Sequence, residues 1–158
     1  MRIATLVTLL ITTGAFAQAR NAAYLEVGGN GVLPTVNYER QLSERLFGRV
    51  GLSFIYSETS DGDEDLTFAI PLAVNYLTHP AGNHHFEAGA GLTLITGDAQ
   101  ELWDDDEDEE ISNVVGTANF GYRYQKPGRG FVFRAGFTPL VFDGEVQPWI
   151  GLTAGYRW

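Results

Sequence analysis

The sequence predicts an all-β fold, an eight-stranded antiparallel up-and-down transmembrane β-barrel, on three observations. From Ala22 onward apolar residues recur with period two rather than 3.6. The connections alternate between compact turns and long acidic loops. The face opposite the apolar one is built from Gly, Ala, Thr and Asn, and the 158 residues include a single lysine, Lys126. A length of 158 residues allows one domain.

The chain opens with Met1 and Arg2, then an apolar run from Ile3 to Thr13 broken only by threonines. Ala15-Phe16-Ala17 supplies the small-x-small pattern of a signal-peptidase site. The run is too short to span a bilayer as a helix, which takes roughly 20 residues. Residues 1–17 therefore read as a cleaved signal peptide, with cleavage after Ala19 as the alternative, and residues 20–158 as one barrel domain. No later segment is an apolar run of spanning length, so membrane entry requires a closed barrel, in which every backbone group finds a partner.

Eight segments alternate. The first two are short: Leu25 and Val27 against Tyr24, Glu26 and Gly28, then Val36 and Tyr38 against Thr35, Asn37 and Glu39. In the third, Val50, Leu52, Phe54 and Tyr56 oppose Arg49, Gly51, Ser53 and Ile55. The fourth sets Leu66, Phe68, Ile70, Leu72, Val74 and Tyr76 against Thr67, Ala69, Pro71, Ala73 and Asn75. The fifth sets Phe86, Ala88, Ala90, Leu92 and Leu94 against Glu87, Gly89, Gly91, Thr93 and Ile95. The sixth runs from Val114 to Tyr124 and the seventh from Phe131 to Thr138. In the last, Ile150, Leu152, Ala154, Tyr156 and Trp158 oppose Trp149, Gly151, Thr153, Gly155 and Arg157. Each is near the ten residues that a tilted transmembrane strand requires.

Connections 42–45, 79–84 and 125–130 are compact, and two contain Pro and Gly at turn positions. Glu58–Asp65 and Gly97–Glu110 instead hold fourteen of the twenty carboxylates and no Lys or Arg. Short turns on one rim and long loops on the other are the layout of an outer-membrane barrel. A soluble barrel with its apolar face inward would present water with Gly, Ala, Thr and Asn, a poor solubilising surface. With the apolar face outward, the same small residues fit a narrow lumen.

The chain ends Tyr156-Arg157-Trp158, with apolar residues at alternate positions back to Ile150. In this ending and in its architecture it resembles the small eight-stranded outer-membrane barrels of the OmpA/OmpX type. The resemblance implies outer-membrane lipid as surroundings, and recognition of the Trp158 strand by the barrel-insertion machinery. The usual last residue there is Phe, from which Trp158 departs. A monomer in the outer membrane of a Gram-negative-type bacterium is expected.

The inward set carries Glu26, Glu39 and Glu87 with Arg49, Arg123, Arg134 and Arg157. Confined charges are tolerated as forked Arg–carboxylate pairs. These seven are expected to plug the periplasmic half of the lumen, below a looser upper half lined by Gly28, Gly51, Ser53, Thr93, Thr117, Asn119 and Thr153.

Little else in the chain points to chemistry. A formal charge of −10 gives nucleic-acid binding the wrong sign. The absence of cysteine removes disulfides, thiolate metal sites and Cys nucleophiles. His79, His84 and His85 cluster at one compact connection and read as turn residues, with weak metal binding as the alternative. Asp61, Asp63 and Asp65, or Asp104, Asp106 and Asp108, are candidates for weak divalent-cation binding, though neither run has the EF-hand order. Trp103 is a lone apolar group at the start of the second acidic run. No catalytic, cofactor or metal residue is assigned. The expected function is that of a non-enzymatic integral outer-membrane barrel with a structural or surface-interaction role and acidic loops outside. A small pore or ligand-binding barrel, and a secreted soluble lipocalin-like barrel, are the alternatives.

Overall fold

The computed structural model describes residues 20–32, 34–58, 64–78, 82–96, 114–142 and 144–158. The signal-peptide reading of residues 1–17 and the acidic run at 97–113 lie outside the described residues. The strands are β1 (Asn21–Gly28), β2 (Thr35–Gln41), β3 (Leu46–Glu58), β4 (Glu64–Leu77), β5 (His84–Thr96), β6 (Val114–Gln125), β7 (Gly130–Phe137), β8 (Leu140–Phe142), β9 (Glu145–Gln147) and β10 (Ile150–Arg157). Consecutive strands pair antiparallel from β1 through β7, β8 pairs with β6 and β9, and β10 pairs with both β1 and β7, which closes the sheet on itself.

The ten strands make eight staves. β8 continues β7 along β6 in one register, and β9 leads into β10 in the register that β10 keeps with β7. The break in both staves falls at Pro139 and Pro148, which that register places opposite each other. Neither proline has an N–H to donate, so the ladder lapses there without changing course. Pro71 has the same effect in β4, where the β3–β4 pairing skips from Leu72 to Ala69.

Alternation sends polar and small side chains into the lumen and apolar ones outward, as expected. Leu25 and Phe54 are 64% exposed and Ile150 71%, whereas Glu39 and Asn37 are 1% exposed and Arg123 0%. A soluble barrel has the opposite arrangement, its apolar face being its core. The outer wall is thus apolar almost all round, a surface suited to lipid rather than water. Turns 42–45 and 126–129, with Thr78 and Gly82–Asn83 at the ends of β4 and β5, share one rim with Arg20 and Trp158; the other rim carries the β1–β2 and β8–β9 connections and the far ends of β3–β6.

Candidate functional site

Among the described residues, the buried charged side chains gather in the lumen, and two unlike constructions fill it. The lower construction is a charge lattice around Arg123, near the short-turn rim. Its Nη1 donates to Glu39 Oε2 at 3.0 Å and to Glu87 Oε2 at 3.1 Å, and its Nη2 donates to Glu39 and Gln125. Arg134 pairs with Glu87, lies 3.9 Å from Glu39 Oε2, and donates to the Tyr24 hydroxyl at 2.7 Å. Tyr24 in turn donates to Glu39 at 3.3 Å. Two carboxylates thus share two guanidiniums through several bonds, the arrangement that makes buried charge tolerable. The Arg123 guanidinium also lies 4.7 Å above the Phe47 ring.

A second pair, Arg49 Nη1 with Glu26 Oε2 at 3.2 Å, lies higher in the lumen. Asn37 donates to the same oxygen at 3.1 Å. Glu26 Oε1 accepts the backbone N–H of Asn30, which belongs to the turn at the opposite rim, at 3.3 Å. The charges therefore extend beyond the periplasmic half to which sequence reasoning confined all seven. Arg157 donates to Gln41 and lies 5.9 Å over Phe47, near the short-turn mouth.

The upper construction was not visible as a pattern of side chains. After β1 the chain turns into the barrel as one turn of 3-10 helix, Gly29–Gly31, with all three residues buried. Asn30 donates to Thr117 Oγ1 at 2.9 Å and accepts from Thr93 Oγ1 at 2.5 Å through its carbonyl. Ser53 donates to the Pro34 carbonyl at 2.9 Å. Three strands of the wall thus hold the turn across the lumen. Glycine makes the route open: Gly28 and Gly29 have φ of 71° and 69°, and a Cβ on Gly29 would come within 1.7 Å of Glu26 Oε1. Val32 takes φ 68° without that freedom, a strained backbone for a β-branched residue. Beside the turn, Ala69, Ile95, Val115 and Leu140 form a small apolar cluster packed by Val32, Phe142 and Trp149.

The upper half is therefore not the looser space the sequence suggested. Thr93, Thr117 and Ser53 serve as partners for an inward turn, and Gly28 is part of that turn. The signal that marked it was Gly28-Gly29-Asn30-Gly31, three glycines around an asparagine between two strands. Between the two constructions remains a cavity of about 30 Å³, lined in part by Arg49, Asn30 and Asn119. Arg49 Nε and Nη2 and the side-chain oxygens of Asn30 and Asn119 have no hydrogen-bond partner among the described residues. Such a space suits one or two waters and nothing larger. A second cavity of about 110 Å³ opens at the short-turn mouth, beside Gln41, His85 and Arg157.

The two described histidines, His84 and His85, stand on opposite faces of the wall. His84 and His85 open β5 instead of lying in the turn, and alternation parts them. His84 is outside, its Nδ1 2.6 Å from the Tyr122 hydroxyl; His85 is inside and buried, its Nδ1 3.4 Å from the Thr78 carbonyl. His79, Asp61, Asp63, Trp103, Asp104, Asp106 and Asp108 lie outside the described residues, as does the side chain of Asp65. Among the described residues, no three His, Cys, Asp or Glu side chains come together as a metal site.

No family model and no curated protein matches the chain. Solved structures do. The chain is similar to the N-terminal β-barrel domain of Pseudomonas aeruginosa OprF, with a TM-score of 0.62 at 12% identity over 89% of this chain and 97% of that one. It is also similar to the Yersinia pestis outer membrane protein Ail, with a TM-score of 0.51 at 13% identity over 89% of this chain and all of that one. At such identities the likeness is one of fold, and that fold is the closed eight-stranded barrel of the OmpA/OmpX type.

Proposed function

We propose that this chain, with the fold of the small outer-membrane barrels, is a closed, non-conducting and non-enzymatic barrel of the outer membrane whose role is structural or one of surface interaction. One observation carries the reading: the lumen is blocked twice in series, by the Arg123–Glu39–Glu87–Arg134 lattice and by the inward turn at Gly29–Gly31. A diffusion pore needs a continuous aqueous path, and what lies between these blocks is water-sized. The apolar outer wall supports residence in a bilayer, and the export reading of residues 1–17 supports delivery to it. The acidic loops then face outward, opposite the rim that carries both ends of the barrel.

Planar-bilayer recording tests the closed lumen. Reconstituted protein, shown to be folded by its heat-modifiable gel mobility, is expected to give no steady conductance steps. Regular steps of one size would overturn the closed-barrel reading in favour of a small pore.

A further inference from the structure

The outer wall is not uniform, and one irregularity lies beside its cations. Every exposed Lys or Arg among the described residues, namely Arg20, Arg40, Arg45, Lys126 and Arg129, is at or next to the short-turn rim. At that rim Glu44 is the one exposed acidic side chain among the described residues; Glu145, also exposed, lies at the opposite rim. Just inside this rim, a trough of about 490 Å³ crosses β2 to β5 on the lipid side, lined by Tyr38, Gly48, Val50, Leu72, Val74 and Ala90. Register aligns Arg40, Gly48, Val74 and Ala90 across four adjacent strands. Gly48 and Ala90 keep the trough floor low on either side of Val74, Leu42 packs against Gly48 at its near edge, and Arg40 is the cross-strand neighbour of Gly48. Arg45, in the β2–β3 turn, is held on the same side by a 2.9 Å hydrogen bond from its Nη1 to the Tyr76 hydroxyl. Tyr76 lies in the next outward-facing row toward the rim, opposite Leu46.

We infer that this trough and its two arginines form a binding site for one anionic phospholipid of the inner-facing leaflet, the acyl chain lying along Gly48 and Ala90 and the phosphate meeting Arg40 and Arg45. Charge complementarity selects the occupant. The trough is apolar like the wall around it, so any acyl chain suits it. Two guanidiniums at its mouth favour a headgroup of net negative charge over a zwitterionic one, since arginine recognises phosphate through charge-assisted bonds. Tyr76 fixes one of the two, which lowers the cost of ordering it on binding. The inference rests on the membrane reading of the barrel, and its test separates the two.

Native mass spectrometry of the barrel in detergent micelles, with phosphatidylglycerol or phosphatidylcholine added, provides the measurement. Phosphatidylglycerol is expected as a single retained adduct in clear excess over phosphatidylcholine. In R40Q/R45Q that preference should fall about thirtyfold, the two surface cations together contributing about 2 kcal/mol toward anionic lipid. A90F, which fills the trough, should remove the adduct with either lipid, whereas K126Q/R129Q should retain it. Equal binding of the two lipids, an adduct unchanged in R40Q/R45Q, retention of inorganic phosphate alone, or a two-chain species in place of the lipid adduct would each overturn the site. Heat-modifiable mobility of every variant shows that it is folded. Failure of the wild-type barrel to enter vesicles of either lipid would instead overturn the membrane reading itself.

Discussion

The two ends of the lumen are closed by different physics. Near the short-turn rim, closure is electrostatic: Arg123 and Arg134 are satisfied only because Glu39 and Glu87 are there, and the converse holds equally. Near the far rim, closure is steric and made mostly of backbone: the Gly29–Gly31 turn fills the lumen because no side chain prevents it. The first is a set of mutual dependencies, so removing one member strands the others. The second depends on something being absent, so it fails when an atom is added. Truncation should therefore damage the lower closure and enlargement the upper one.

The largest effect is expected from truncation at Arg123. Arg123→Met keeps much of the side-chain volume but leaves Glu39 and Glu87 facing each other with only Arg134 between them. Breaking a buried pair from one side costs about 3–5 kcal/mol, read as a lowered midpoint in urea unfolding followed by gel mobility. The double variant R123M/E39Q should recover a large part of that loss, because the stranded Glu39 charge is gone while Glu87 keeps Arg134 as its partner. If R123M costs under about 1 kcal/mol, the lattice is not what holds the lower lumen together.

Enlargement at Gly29 comes next. Gly29→Ala places a methyl group in the space of the Glu26 carboxylate and imposes φ 69° on alanine. Together these should cost about 1–3 kcal/mol. Gly128→Ala supplies the comparison, because Gly128 has φ 83° but nothing within 4 Å of the new methyl. It should lose only the backbone part, about 1 kcal/mol. Equal losses at the two positions would mean that the inward turn does not fill the lumen in solution.

This contrast also marks what the sequence made legible. Period-two alternation placed all eight staves and both faces, because in a barrel one face meets lipid and the other a crowded lumen, and the residue types divide accordingly. The charged set was legible for the same reason: Glu39, Glu87, Arg123 and Arg134 stand at inward positions, and confined charges must find each other. Which arginine serves which glutamate was not legible, since pairing depends on the stagger between strands distant in sequence, such as Glu39 in β2 and Arg123 in β6. The upper closure was hidden more deeply. It is made of Gly29, Asn30 and Gly31, whose composition says turn but not in which direction. That direction is set by Thr93 and Thr117, more than sixty residues away, which receive Asn30. The two prolines that break the last staves were visible individually, but their opposition became apparent only from the register.

The smallest expected effect is the coupling between the two closures, and it tests whether they are separate at all. Glu26 stands between the two closures. One of its oxygens accepts the Asn30 N–H of the upper turn, and the other is shared by Arg49 and Asn37. Among the described residues no ion pair links Glu26 or Arg49 to the Arg123 lattice. Gly29→Ala and Arg123→Met should then add, with an interaction energy below about 0.5 kcal/mol, as independent sites do. Gly29→Ala and Glu26→Gln act on the same carboxylate and should depart from additivity by about 0.5–3 kcal/mol. A double-mutant cycle for each pair, run on the same unfolding assay, gives both numbers. Strong coupling in the first cycle would make the lumen a single polar column with no division at Glu26. Additivity in the second would mean that Glu26 does not brace the turn, and the burden of holding it would pass to Thr93 and Thr117.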